Sequence, residues 1–237
     1  MSETPDERIE RMYCGAQFAP THDLSGAGYA HYDRVYAAAF GRHLPADRQA
    51  RILDLGCGAG HFLHFLRSAG YGNVVGVDSS AEQVALCQRM GLGSVERADA
   101  FEHLRAHRGE YQVIAGNHLI EHLSREQAVE LCVLARDALA PGGEFIVTTP
   151  NMSNLLAGRM LHADLTHRTG FTEDSLRHCL AAGGFERIEI VDGGVPISSL
   201  GRVRALVERL VHRGVYVLCS QPVPRVCSCS LMGIGRG

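Results

Sequence analysis

A chain of 237 residues, 46% hydrophobic and with no Trp, can build one sizeable α/β core, and none of its apolar runs approaches the roughly 18 residues a bilayer span needs. It contains no Lys, which removes Schiff-base chemistry, a pyridoxal-phosphate anchor and the P-loop lysine together. A formal net charge of −3, with no Arg cluster forming a stripe, lacks the electrostatic signature of a nucleic-acid binder.

Residues 1–28 show no clear period, and the acidic start MSETPDERIE is not a secretory signal, which predicts a cytoplasmic protein. A helix is expected over Asp33–Leu44, ended by Pro45. Strands are then expected at 51–55, 73–78, 94–99, 111–116 and 143–150, alternating with helices near 60–69, 81–90, 100–108 and 124–140. Leu139-Ala-Pro-Gly-Gly143 is a helix stop. After Pro150 the rhythm breaks through 151–171. A helix over 172–184, capped by Thr172, a strand at 185–193, a helix near 201–213 and a last strand within 227–236 follow, the last placing Cys227 and Cys229 on one face. The eight Cys form no C-x-x-C pair and read as buried thiols. Alternating elements predict a single domain over 1–237, a doubly wound, mostly parallel α/β sheet with helices on both faces. Segments 1–30 and 151–171 are additions over its active face.

Residues 52–62 read ILDLGCGAGHF. Glycines between a strand and a helix, at the strand's carboxyl end, permit a tight turn and close approach of a ligand to the backbone. The third glycine of G-x-G-x-G comes one residue too early for a dinucleotide site, and His61 takes the expected place. Asp54 would repel a diphosphate but favours a ligand carrying an ammonium or sulfonium. Asp78, 22 positions after Gly56, can accept two ribose hydroxyls, and Asp99 ends the third strand beside the same crevice, where it could accept from an adenine amino group. Ribose, adenine and a cationic amino-acid tail together describe S-adenosylmethionine.

ILDLGCGAG, VVGVDSS, ADAFEHL, YQVIAGNHLIEHL and LAPGGEFIVTTPN, in that order, resemble the class I S-adenosylmethionine-dependent methyltransferases over residues 50–150. The resemblance implies a Rossmann-like sheet of seven strands with the last antiparallel, and S-adenosylhomocysteine as product. It implies that Asp54, Gly56, Cys57, Gly58 and Gly60 hold the methionine end, that Asp78 and Ser79 bind the ribose, that Asp99 and Ala100 lie near the adenine, and that Asn117 and His118 flank the sulfonium. HADLTHRTGFTEDSL and LMGIGRG look more loosely like a subgroup acting on sugars and cell-envelope glycans. The acceptor implied is a small-molecule or glycan hydroxyl, with 1–30 as a lid and 151–171 as the acceptor-side insertion. Nucleic-acid base N-methyltransferases carry Asn/Asp-Pro-Pro-Tyr/Phe where this chain has Asn117-His118-Leu119-Ile120, which argues against that substrate.

His118-Leu-Ile-Glu121-His122 fits a zinc-peptidase spacing, but that pattern needs one long helix. Here it follows a strand, and Ser124 caps the next helix, so no metal site is assigned. The ubiquinone O-methyltransferase branch carries Glu-x-x-Glu-His here, linked to a divalent ion; His118 replaces the first Glu, so a metal stays an alternative to loop histidines packed on the cofactor. A hydroxyl acceptor gains from a base. The candidates are His118, His122, His162, Asp164 and His167; resemblance to sugar-directed relatives favours His122 as base, with Asp164 and His167 as acceptor-binding or auxiliary groups. Tyr29, Tyr32 and Arg34 are lid candidates, although Tyr32 and Tyr36 equally suit helix packing. An amine or carboxyl acceptor and a non-catalytic S-adenosylmethionine-binding protein are the rival readings. The sequence is silent on oligomeric state, so a homo-oligomer stays open.

Overall fold

The computed structural model describes residues 23–92 and 94–237, so Cys14 and the first part of the expected N-terminal lid lie outside the described residues. In chain order the elements are α1 (Gly26–Phe40), β1 (Ile52–Leu55), α2 (His61–Ser68), β2 (Val74–Asp78), α3 (Ala81–Arg89), β3 (Val95–Arg97), α4 (Ala100–Ala106), β4 (Tyr111–Asn117), a 3-10 turn (Ile120–His122), α5 (Arg125–Ala138), β5 (Leu139–Pro150), α6 (Ala157–His162), α7 (Glu173–Ala182), β6 (Arg187–Asp192), α8 (Ser199–Leu218) and β7 (Ser230–Arg236). The seven strands form one sheet in the order β3-β2-β1-β4-β5-β7-β6. β7 runs antiparallel to both its neighbours and the other pairings are parallel, as the resemblance implied. From the adjacent β1 and β4 the chain winds outward in opposite directions, so their carboxyl ends flank the crevice where such sheets bind ligands.

Alternation along each strand builds a core on both faces. Leu53 and Leu55 join Leu104, Leu131 and Phe145 on one side, while Ile52 turns to Phe40, Phe62 and Leu66 on the other. Fully burying one such side chain is worth about 1.5–3 kcal/mol. The glycines of the LMGIGR ending serve close packing: a Cβ on Gly235 would stand 2.6 Å from Cγ of Phe185.

Four elements differ from expectation by more than a residue or two at an end, each for a local reason. α1 spans 26–40 rather than 33–44, because Ser25 Oγ accepts from Gly28 N at 3.2 Å and caps a start that Gly-Ala-Gly conceals. β5 begins at Leu139 rather than 143: Leu139 pairs with Tyr111, and the register then shifts before Val113. α8 runs 199–218 rather than 201–213, capped by Ser198, whose Oγ accepts from Gly201 N at 3.0 Å, and meets no proline before Pro222. β7 starts at Ser230, so Cys227 and Cys229 lie in the preceding loop rather than on one strand face. That loop is fixed by buried Asn151, whose Nδ2 donates to the carbonyls of Val226 (3.0 Å) and Ser228 (2.9 Å).

Candidate active site

A cavity of about 880 Å³ opens over the carboxyl ends of β1, β2 and β4, between α1 and the segment 160–168. Its wall includes Asp54, Gly56, Cys57, Gly58, Asp78, Ser79, Asp99, Ala100, Asn117, His118, His122, Asp164 and His167. Four residues named from the sequence are not on that wall: Gly60, His162 and the lid candidates Tyr29 and Arg34. Gly60 backs onto Leu92 and Cys87, where an added Cβ would meet Leu92 Cδ1 at 2.5 Å, and His162 is exposed at the end of α6.

Gly56, Gly58 and Gly60 have φ of 66°, 51° and 78°, a left-handed conformation that costs any other residue strain. The turn is pinned from β2: Gly56 N and Cys57 N both donate to Val77 O, at 2.8 and 3.1 Å, and Gly58 N donates to Asp78 Oδ2 at 2.9 Å. Asp78 Oδ1 accepts from Ser80 N at 2.8 Å. Each oxygen keeps a second lone pair for a ribose hydroxyl. Burial raises the Asp78 pKa above its ordinary value, and these backbone bonds oppose it. Asp99 Oδ1 caps α4, accepting from Phe101 N (2.9 Å) and Glu102 N (3.0 Å).

Asp54 is 1% exposed, and neither carboxylate oxygen has a hydrogen-bonding partner among the described residues. Burial, then repulsion from Asp78, pushes its pKa well above the ordinary 3.8; the Asn117 amide alongside pulls the other way, yet Asn117 Nδ2 completes no hydrogen bond. An orphan acceptor and an orphan donor together suit a zwitterionic amino-acid tail, whose ammonium would restore the Asp54 charge. With three left-handed glycines and Asp78 beside them, the residues present fit S-adenosylmethionine.

On the opposite wall, His118 has φ of +51°, uncommon for a residue with a Cβ. Its Nδ1 meets Glu121 Oε1 at 2.9 Å. Loss of surrounding water disfavours charge on buried Glu121, and in part on His118, whose side chain stays 57% exposed; their mutual attraction wins, so His118 is raised and Glu121 lowered from ordinary values. The Glu121 carbonyl accepts from Arg168 N (2.8 Å) and Thr169 N (3.0 Å), tying the 3-10 turn to the 164–169 segment.

That tie brings His122 to the insertion. Thr166 Oγ1 lies 2.7 Å from His122 Nδ1 and 2.7 Å from Asp164 Oδ1. An ionised carboxylate only accepts, so the hydroxyl proton goes to Asp164, the His122 Nδ1 proton goes to Thr166, and Nε2 carries the lone pair. Burial lowers the His122 pKa from its ordinary 6.5. His167 packs edge-on against His122, ring centroids 4.9 Å apart, with its Nδ1 3.1 Å from Met160 O. Glu121, His122 and His167 also offer ligand atoms all within 4.8 Å of one another, a set able to hold a divalent cation. Sequence reading missed Thr166, although the Asp-x-Thr turn, with Thr166 N on Asp164 Oδ1 at 2.8 Å, is a recognisable signal. It also missed Gln83, buried in the wall with its amide unpartnered among the described residues.

Residues 29–190 match a family described as "Methyltransferase domain". A ubiquinone biosynthesis O-methyltransferase from Shewanella pealeana is 28% identical over 141 residues, 57% of this chain and 55% of the relative. A tRNA U34 carboxymethyltransferase from Ectopseudomonas mendocina is 30% identical over 106 residues, 42% of this chain and 32% of the relative. The chain thus spans about half the length of the first of these relatives, and less of the second. The crystal structure of a SAM-dependent methyltransferase from Archaeoglobus fulgidus aligns with a TM-score of 0.66 at 21% identity, over 86% of this chain and 94% of that one, a likeness of fold. The family match covers most of the sheet and the whole glycine loop: the chain belongs to the methyltransferase-domain family, with the class I S-adenosylmethionine-dependent architecture.

Proposed function

We propose that the protein transfers a methyl group from S-adenosylmethionine to a hydroxyl of a small molecule or glycan, with His122 as general base. The observation carrying this reading is the Asp164–Thr166–His122 hydrogen-bond chain on the cavity wall. S-adenosylmethionine, when bound, supplies a methyl carbon on a good leaving group, so the protein's task is positioning and proton removal. Asp54 and Asn117 hold the amino-acid tail, Asp78 and Ser79 the ribose, and Asp99 and Ala100 border the adenine. His122, kept neutral by burial, takes the hydroxyl proton on Nε2; Thr166 and Asp164 hold its ring, and Asp164 and His167 contact the acceptor. A nucleic-acid acceptor is not part of this reading, given a net charge of −3.

One observation favours a second reading. The Glu121, His122 and His167 set would let a divalent cation, rather than the His122 lone pair, acidify the hydroxyl. The test measures S-adenosylhomocysteine release with hydroxyl acceptors alongside calorimetric cofactor affinity. His122→Ala should lower kcat by about 10²–10⁴-fold with cofactor affinity little changed; wild-type turnover removes His122 from the reaction. Chelation should leave wild-type turnover intact, and a loss restored by added magnesium or manganese assigns the role to the cation.

A further inference from the structure

α8 carries its polarity inverted. Gly201, Ala205, Glu208, His212 and Tyr216 form one helical stripe, and these are the residues it turns toward the protein; His212 is its one buried residue. Polar bonds hold this stripe to the chain ahead of α6. Asn154 Nδ2 donates to Glu208 Oε1 at 2.9 Å, Leu155 N to His212 Nε2 at 3.0 Å, and the Tyr216 hydroxyl to Ser153 O at 2.7 Å. The opposite stripe presents Val203, Leu206, Val207, Leu210, Val217 and Leu218, each more than half exposed and Leu218 85% exposed. Scattered surface leucines need no account, but a continuous apolar face marks an interaction surface.

The charges select its occupant. Arg202, Arg209 and Arg213 border one edge of the apolar face and Arg204 the other, while the helix's acidic residue, Glu208, sits on the inward stripe and bonds Asn154. The outward half is therefore cationic in a chain of net charge −3. A second copy pairing along this face would bring arginine rows together. An anionic bilayer complements both features, headgroups meeting the arginines and the acyl boundary receiving Leu and Val. No helix among the described residues is long and apolar enough to cross a membrane, which suits a helix lying in the interface plane.

We propose that α8 docks the protein on an anionic lipid surface. The segment it is bonded to, 153–155, leads directly into α6 and then to Met160, Ala163 and Leu165 on the cavity wall, so docking sets the acceptor side of the cavity beside the lipid. The test is flotation of the full chain with vesicles of phosphatidylcholine alone or of equal parts phosphatidylcholine and phosphatidylglycerol. Wild type should float with the mixed vesicles and not with phosphatidylcholine alone. Arg202, Arg209 and Arg213 replaced together by Gln should weaken partitioning about a hundredfold. Val207→Glu with Leu210→Glu should abolish it. Both variants should keep wild-type circular dichroism and cofactor affinity, because these side chains point away from the fold. Failure of the wild type to float with mixed vesicles overturns the proposal. So does a lipid-free dimer that the double Glu variant dissociates, which assigns the face to a second copy.

Discussion

At Asp54 the requirements of folding and of binding part company. A carboxylate buried with no partner among the described residues opposes folding, since burial and Asp78 both favour its neutral form. Its folded-state pKa lies above the unfolded value of about 3.9. Its contribution to stability is therefore fully present below that unfolded value and is lost as pH rises through the folded one. At neutral pH, Asp54→Asn removes the charge at nearly constant volume. The ligand-free variant should gain about 1–3 kcal/mol, seen as a Tm higher by several degrees. Its calorimetric affinity for S-adenosylmethionine should fall by about 10–100-fold. A lower Tm together with wild-type affinity would take Asp54 out of the binding site.

Among the elements, α1 shows how the glycine turn is fastened from outside the sheet. Tyr29, 1% exposed, donates its hydroxyl to Ala59 O at 2.7 Å, inside the glycine turn, and stacks on His61 at 4.5 Å. Tyr29→Phe leaves that carbonyl buried and unpaired, so it should cost about 1–3 kcal/mol in chemical denaturation and weaken cofactor affinity in step. Destabilisation with unchanged affinity would separate α1 from the site. What the sequence made legible follows the same logic of local against distant information. β1, β2, β4 and β5 announce themselves as apolar runs, and the glycine loop as a spacing, because each signal lies within a few residues. The start of α1 rests on a Ser25 cap ahead of glycines with no periodicity. The Asp164–Thr166–His122 chain joins residues 44 apart and exists only after Glu121 has gripped the 168–169 backbone. The length of α8 is readable in part, but which of its faces turns inward is set by Asn154 and Ser153, far away in sequence.

Over the whole molecule, the cavity couples groups whose titrations run in opposite directions. Burial lowers His122 from 6.5, so it is neutral and able to accept a proton at neutral pH; attraction to buried Glu121 outweighs the partial desolvation of His118 and raises it. The His118 contribution to stability is fully present below the unfolded value near 6.5 and is lost as pH rises through the folded one. Glu121, lowered, contributes above its unfolded value near 4.3 and loses that as pH falls through the folded one. Between about 4.3 and 6.5 the pair braces the loop that follows β4 most firmly, and Tm should fall off on the alkaline side. Activity should follow different groups. kcat, which reports the loaded enzyme, should rise with pH through one group below 6.5, His122, and then level. kcat/KM for the cofactor, which reports the free enzyme, should carry a further limb from Asp54, because the anion that receives the ammonium forms only above its raised pKa. In Asp54→Asn the kcat limb should persist while the extra kcat/KM limb disappears. A kcat limb that survives in His122→Ala would mean that another group removes the acceptor's proton, and the Thr166-held imidazole would then be scaffolding for the wall rather than the base.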